Sequence, residues 1–178
     1  MFARTKRLLL RPGWANDAPE LAAAIADKRV IMQLASAPWP YGLEQAEAFL
    51  AMPTDPVLPT FLIALRTDGA PKIIGACGLG RRPSGAVEIG YWIARSHWGQ
   101  GYASEACEAL IDIARILGLT SLEGSHFVDN PASGRVLQKL GFVPTGLTAP
   151  RFSCGRGVEQ DSAVYTLDLA PTQRQVAA

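Results

Sequence analysis

Between residues 61 and 94 the hydrophobic pattern leaves helical spacing and becomes three short apolar runs. These are FLIALR (61–66), KIIGACGLG (72–80) and AVEIGYWIA (86–94), separated by the turn clusters TDGAPK and RRPSG. Gly and Pro at these spacings predict an antiparallel three-strand meander. A sheet with such a centre must bury its faces against other elements, and the flanking sequence supplies helices. Asp17 suits an N-cap and Pro19 a first turn, predicting a helix over 18–27; LEQAEAFLAM predicts another from Leu43, ended by Pro53. Thr5 to Arg11 reads as a first strand stopped by Pro12, and 36–42 and 53–59 read as Pro-rich loops.

After the meander, Ala106, Leu110, Ile113, Ala114 and Leu117 share one helical face closed by Gly118. SLEGSHFV (121–128) reads as a strand, and a helix from Pro131 runs to Gly141. Residues 142–143 and 164–169 read as two last strands around a long loop at 145–163. This order predicts an α+β fold in one domain over 1–170, with 171–178 a polar, frayed tail.

Composition narrows the classes. A chain of 178 residues, 48% of them hydrophobic, buries about 70% of its unfolded surface and needs no staple. A net charge of +1 gives no general pull toward nucleic acid or anionic lipid, so neither is expected as a partner. Cys77, Cys107 and Cys154 form no CxxC pair, and there are two His; reduced thiols are expected, with no disulfide framework and no metal site. No apolar run approaches the lengths of a signal peptide or a spanning helix, so the expected location is cytoplasmic.

The segment Trp98-Gly99-Gln100-Gly101-Tyr102-Ala103-Ser104 joins a predicted strand to a predicted helix. Its glycines allow a tight turn that brings backbone N–H groups together. The helix start adds unpaired N–H groups and the positive dipole end, which suits a phosphate or pyrophosphate. No Lys-Ser/Thr follows the glycines, so this is no Walker loop. An ordinary strand-to-helix turn has the same pattern.

Four segments together resemble the GNAT N-acetyltransferase superfamily, and within it the Rim-type enzymes that acetylate N-terminal amines of ribosomal proteins. They are TKRLLLRP (5–12), EIGYWIARSHWGQGYASEA (88–106, two motifs) and NPASGRVLQKLGF (130–142). The family's phosphate motif is Q/R-x-x-G-x-G/A; Trp98 departs from it but matches the subfamily's W-G-x-G. The resemblance implies a mixed, mostly antiparallel twisted sheet with a central strand splay, flanked by helices. It also implies acetyl-CoA as cosubstrate, with its pyrophosphate on residues 98–104 and backbone groups near Trp92 and Ile93 facing the thioester. Asn130 is implied to contact CoA, and the Ser133 hydroxyl to lie near the sulfur. Residues 130 and 133 equally suit the N-cap and first turn of a helix.

Direct transfer to an amine needs orientation, a proton acceptor and oxyanion stabilisation, and no covalent intermediate. Glu88, in an apolar strand with Gly90 and Trp92 on its face, is the candidate base; its alternative is a carboxylate paired with Arg81, Arg82 or Arg95. His97 and His126 read as a solvated and a structural imidazole. Trp39 and Tyr41 are expected to wall the acceptor side, with Arg151, Arg156, Glu159 and Asp161 adding mixed charge. The leading reading is acetyl transfer to a primary amine, with a protein N-terminus the nearest analogy, by a monomer or homodimer. A small-molecule amine acetyltransferase, a CoA-binding module without turnover and a nucleotide-binding regulator stay open at this point.

Overall fold

The computed structural model describes residues 1–170; the tail expected to fray lies outside the described residues. Along the chain come β1 (Ala3–Arg4), β2 (Leu8–Arg11), α1 (Ala18–Ile25), α2 (Lys28–Ile31), α3 (Leu43–Ala51), β3 (Thr60–Leu65), β4 (Lys72–Arg81) and β5 (Val87–Ile93). They are followed by α4 (Tyr102–Ile116), β6 (Ser121–Phe127), α5 (Pro131–Lys139), β7 (Val143–Ser153) and β8 (Val158–Asp168). The strands form one sheet in the order β1-β2-β3-β4-β5-β6-β8-β7. All neighbours are antiparallel except β5 and β6, which are parallel.

The meander is β3-β4-β5, as its apolar runs predict. Alternation sends Cys77, Leu79, Ile89 and Ile93 to one face, against Ala106, Leu110 and Ala114 of α4 and Leu137 of α5. The other face, with Leu62, Ile73 and Ala76, packs on Leu21 of α1 and Ala46 of α3. The predicted stripe on α4 is buried at Ala106, Leu110, Ile113 and Ala114, and Gly118 ends that helix at φ +76°.

Four local expectations change. The first strand is broken into β1 and β2, because Thr5 N–H turns back to Leu8 O at 3.0 Å. The Asp17 side chain does not cap α1; it is buried and accepts from both Nη atoms of Arg11 at 2.6 and 2.7 Å and from Trp14 N–H at 2.7 Å. An unforeseen single turn, α2, is capped by Asp27, which accepts from Arg29 N–H at 2.8 Å.

The largest change is at the end of the chain, where the expected loop at 145–163 is mostly β7 and β8, each 11 residues long. β7 is exposed along nearly its whole length, so it carries no alternation to read. It is an edge strand, where Pro144 and Pro150 are tolerated. The hairpin tip is held by residues far away in sequence. Cys154 N–H donates to Ala35 O at 2.8 Å, Ser153 Oγ to Leu34 O at 3.0 Å and Arg156 Nε to Met32 O at 2.7 Å. A Cβ at Gly155 would stand 2.5 Å from Ile31 Cγ2 and 3.1 Å from Ala37 O. Gly155→Val is therefore expected to cost about 1–3 kcal/mol through overpacking, read as a lower midpoint in urea unfolding. An unchanged midpoint would mean the tip is not docked.

Candidate functional site

The chain between β5 and α4 makes a short 3₁₀ turn (Arg95–His97) and then the glycine loop. Gly99 and Gly101 lie at φ +74° and +79°, and Gly101 is the N-cap of the 15-residue α4. The loop is tied down from two sides. Trp98 Nε1 donates to Ile93 O at 2.6 Å, with the Arg95 guanidinium 4.7 Å from its ring. Arg7 donates to Gln100 O at 3.0 Å, lies 4.3 Å over the Tyr102 ring and pairs with Glu105 at 2.6 Å. Burial raises the Glu105 proton affinity, but hydrogen bonds from Thr5 and Arg7 and the Arg7 charge outweigh it, keeping the carboxyl below its ordinary range. Trp98 thus has a structural reason to stand where the broad family motif has Gln or Arg. Arg7 lies in the segment 5–12, whose match carried no assigned role.

The ladder between β5 and β6 is confined to Glu88–Ile89 with Glu123–Gly124. β6 stays paired to β8 as far as Phe127–Ser162, so the gap beside Gly90–Ile93 widens toward the glycine loop. A cavity of about 980 Å³ runs through it, at the upper end of the ~300–1,000 Å³ range of small-ligand pockets. Glu88, Trp92, Ile93, Trp98, Gly99, Gly101, Tyr102, Ala103, Ser104, Asn130 and Ser133 all line this one cavity. Gln100 does not line it; its side chain turns to Ser96 O at 3.3 Å. An open helix start, a splayed pair of strands and an elongated cavity between them fit a long phosphate-bearing thioester.

At the start of α5, Asn130 Oδ1 accepts from Ser133 N–H at 3.3 Å, the cap its position predicts. The Ser133 hydroxyl lies 2.8 Å from the Tyr91 hydroxyl, which also donates to Ser133 O at 3.2 Å. Burial pushes the Tyr91 phenol well up, reinforced by Cys107 and opposed by Ser133, so it stays a neutral donor. Tyr91 was missed by the sequence reading. Its signal was available: it is the polar member of an otherwise apolar row, Ile89, Tyr91 and Ile93, on the strand face opposite Glu88.

Glu88 accepts from Arg82 Nη1 at 2.9 Å, Arg151 Nη1 at 2.7 Å, Arg151 Nη2 at 3.0 Å and Ser125 Oγ at 2.5 Å. Burial alone would raise its proton affinity. The hydrogen bonds from Arg151 and Ser125 and the two guanidinium charges outweigh that and hold it below the ordinary carboxylate range. This geometry favours the ion-pair alternative over a general base, with Arg82 and Arg151 as partners. A depressed folded-state pKa stabilises the fold above the ordinary value of 4.5, and that stabilisation is lost as pH falls through the folded value. Glu88→Gln should cost about 2 kcal/mol near neutrality, between exposed and buried pairs. In pH-dependent unfolding the gap from wild type should close in acid; a gap constant down to strong acid would contradict the pairing.

On the acceptor side, Tyr41 lines the cavity and Trp39 does not. Trp39 is 39% exposed. Of the four charged residues expected there, only Arg151 lines it; Arg156 turns to Met32 O and Asp129, and Glu159 and Asp161 border a separate small pocket. His97 lines the cavity, with burial and then Lys72 lowering its pKa. His126 also lines the cavity, with Nδ1 2.8 Å from Phe127 O and Nε2 3.4 Å from the Tyr165 hydroxyl. Cys77 and Cys107 are buried, and burial pushes the Cys77 thiol up to about 12 and Cys107 well up. Among the described residues no three His, Cys, Asp or Glu side chains are placed to hold a metal ion, and no helix is long and apolar enough to cross a membrane.

Residues 7–143 match the family model described as "Acetyltransferase (GNAT) domain". An uncharacterized N-acetyltransferase, p20, from Bacillus licheniformis is 33% identical over 151 residues, covering 80% of this chain and 83% of that protein. A ribosomal-protein-serine acetyltransferase from Escherichia coli is 43% identical over 61 residues, 34% of each chain. Among solved structures, a ribosomal L7/L12 alpha-N-protein acetyltransferase in complex with coenzyme A superposes with a TM-score of 0.75 at 21% identity, covering 94% of this chain and 98% of that one. With the splayed sheet and the glycine loop in place, these likenesses establish that the chain belongs to the GNAT acetyltransferases and is an N-acetyltransferase that uses acetyl-CoA.

Proposed function

We propose that the protein transfers acetyl directly to the primary amine of a polypeptide N-terminus. The observation that carries this is the continuity of one cavity from the glycine loop, through the β5–β6 gap, to the face covered by α1–α3. The thioester supplies an already activated acyl group. The residues therefore have to hold it, admit an amine from the opposite side and stabilise charge as it shifts.

In this reading the backbone of residues 98–104 holds the pyrophosphate, aided by the α4 dipole. Asn130 contacts the same cosubstrate. Strand β5 near Trp92 and Ile93 faces the thioester, and the Ser133 hydroxyl, positioned by Tyr91, donates to the departing sulfur. The doubly paired Glu88 holds Arg151, and the ammonium gives its proton to water. Neither buried thiol acts as a nucleophile, since both are held protonated. A polypeptide acceptor is supported by the likeness to the ribosomal-protein-serine enzyme over 61 residues. A cytoplasmic location accords with the need for acetyl-CoA and with three unpaired thiols.

The test is acetyl-CoA consumption by the full chain with peptides and small amines, with mass spectrometry locating the added acetyl group. Acetylated α-amines on peptides are expected. Consumption only with small amines would replace the acceptor, and no consumption with any amine, despite CoA binding, would leave a binding module.

A further inference from the structure

One face of β4 and β5 has a bare patch at Gly80 and Gly90. In register, Ala76 stands opposite Trp92, Gly78 opposite Gly90 and Gly80 opposite Glu88; alternation turns all six to the face on which α1 and α3 pack. A Cβ added at Gly80 or Gly90 would meet no heavy atom within 4 Å, and neither residue has a positive φ. The backbone therefore does not require glycine at these two positions, and none of the described residues fills the space above them. Glycine in a strand forfeits about 0.5–1 kcal/mol, and where it is not a bulge it marks a close approach of another backbone. The bare strip is the floor of the acceptor end of the cavity. Gln45 and Phe49 of α3, Met52 just after it, Arg151 and Trp92 line the same cavity.

At this trough two guanidiniums, Arg82 and Arg151, share the carboxylate of Glu88, and Glu123 stands in register beside it on the next strand. Arg151 faces the cavity and commits only Nη1 and Nη2 to Glu88 and Ser125. The distance from the Ala76–Trp92 pair to the Gly80–Glu88 pair is four strand residues, about 13 Å. An extended chain covers that in about four residues.

Resting on the acyl-transfer reading above, we propose that the acceptor is an extended N-terminal segment with an acidic residue at its third or fourth position. Its backbone lies on Gly80 and Gly90, since Pro59 and Thr60 already cover Gly78. Its amine reaches the gap beside Trp92, and its carboxylate meets Arg151. A small amine would need neither the length of the floor nor a guanidinium at its far end.

Binding separates this proposal from turnover. Octapeptides beginning Ser-Ala-Glu-Glu or Ser-Ala-Lys-Lys are titrated calorimetrically into the full chain saturated with CoA, which cannot donate an acetyl group. The acidic peptide is expected to bind about tenfold tighter or more, since like charges at an interface are strongly disfavoured. In Arg151→Gln the two affinities should converge. Gly80→Val and Gly90→Val should keep or raise the wild-type Tm, because open space receives the side chain, yet weaken the acidic peptide about tenfold or more. Equal binding of the two peptides in wild type, or undiminished binding in both folded glycine variants, overturns the proposal. If the acidic peptide binds but acetyl-CoA leaves it unmodified, the trough stands and the acyl-transfer reading fails. If amines are acetylated while neither peptide binds, the reverse holds.

Discussion

Gly101→Val is expected to weaken acetyl-CoA binding by about 10–100-fold with the fold intact. Gly101 sits at φ +79°, where a β-branched residue is strained by about 1–3 kcal/mol. Space does not cause the loss, because an added Cβ would stand 3.6 Å from Arg7 Nη2, an ordinary contact. The strain is relieved by rotating the loop backbone, which turns its N–H groups away from the helix start. Each 1.4 kcal/mol of lost contact is about tenfold in affinity. Gly118→Val is the control. Gly118 has nearly the same φ, +76°, at the other end of α4, so the strain is similar but the anion cradle is untouched. Calorimetry should show weak binding for the first variant and normal binding for the second, at comparable losses of Tm. Wild-type affinity in Gly101→Val would remove residues 98–104 as the phosphate seat.

Ser133→Ala should lower kcat by about 10²-fold, the effect of one proton donor. CoA affinity should change far less, because the interaction removed is made mainly in the transition state. Stability should hold, since the Asn130 cap uses the Ser133 backbone N–H and not its hydroxyl. Tyr91→Phe removes the partner 2.8 Å away and keeps the ring, so a smaller loss in the same direction is expected. Stopped-flow turnover beside CoA titration separates the two effects. Normal kcat in a folded Ser133→Ala would reduce Ser133 to a residue of the first helical turn.

The amino-acid sequence by itself carried the elements whose signals are local. The meander was legible because β3, β4 and β5 are covered on at least one face and bounded by Gly and Pro. The turn into α4 was legible because Gly99 and Gly101 are needed for their own backbone angles, and the Asn130 cap because an N-cap contacts only its own first turn. These pieces, in order, also sufficed to mark the family. The hairpin β7–β8 was not legible, because an edge strand open to solvent has no hydrophobic period, and its tip is held by the 32–37 segment more than a hundred residues away. The state of Glu88 turned on that same hairpin: an isolated carboxylate in an apolar strand reads as a base, and Arg151, 63 residues distant, makes it an ion pair. Tyr91 met Ser133 only once β5 and α5 were packed together. Chain-local chemistry was determined by the sequence, and the charge and contacts of the site were decided by which distant segments the sheet brought side by side.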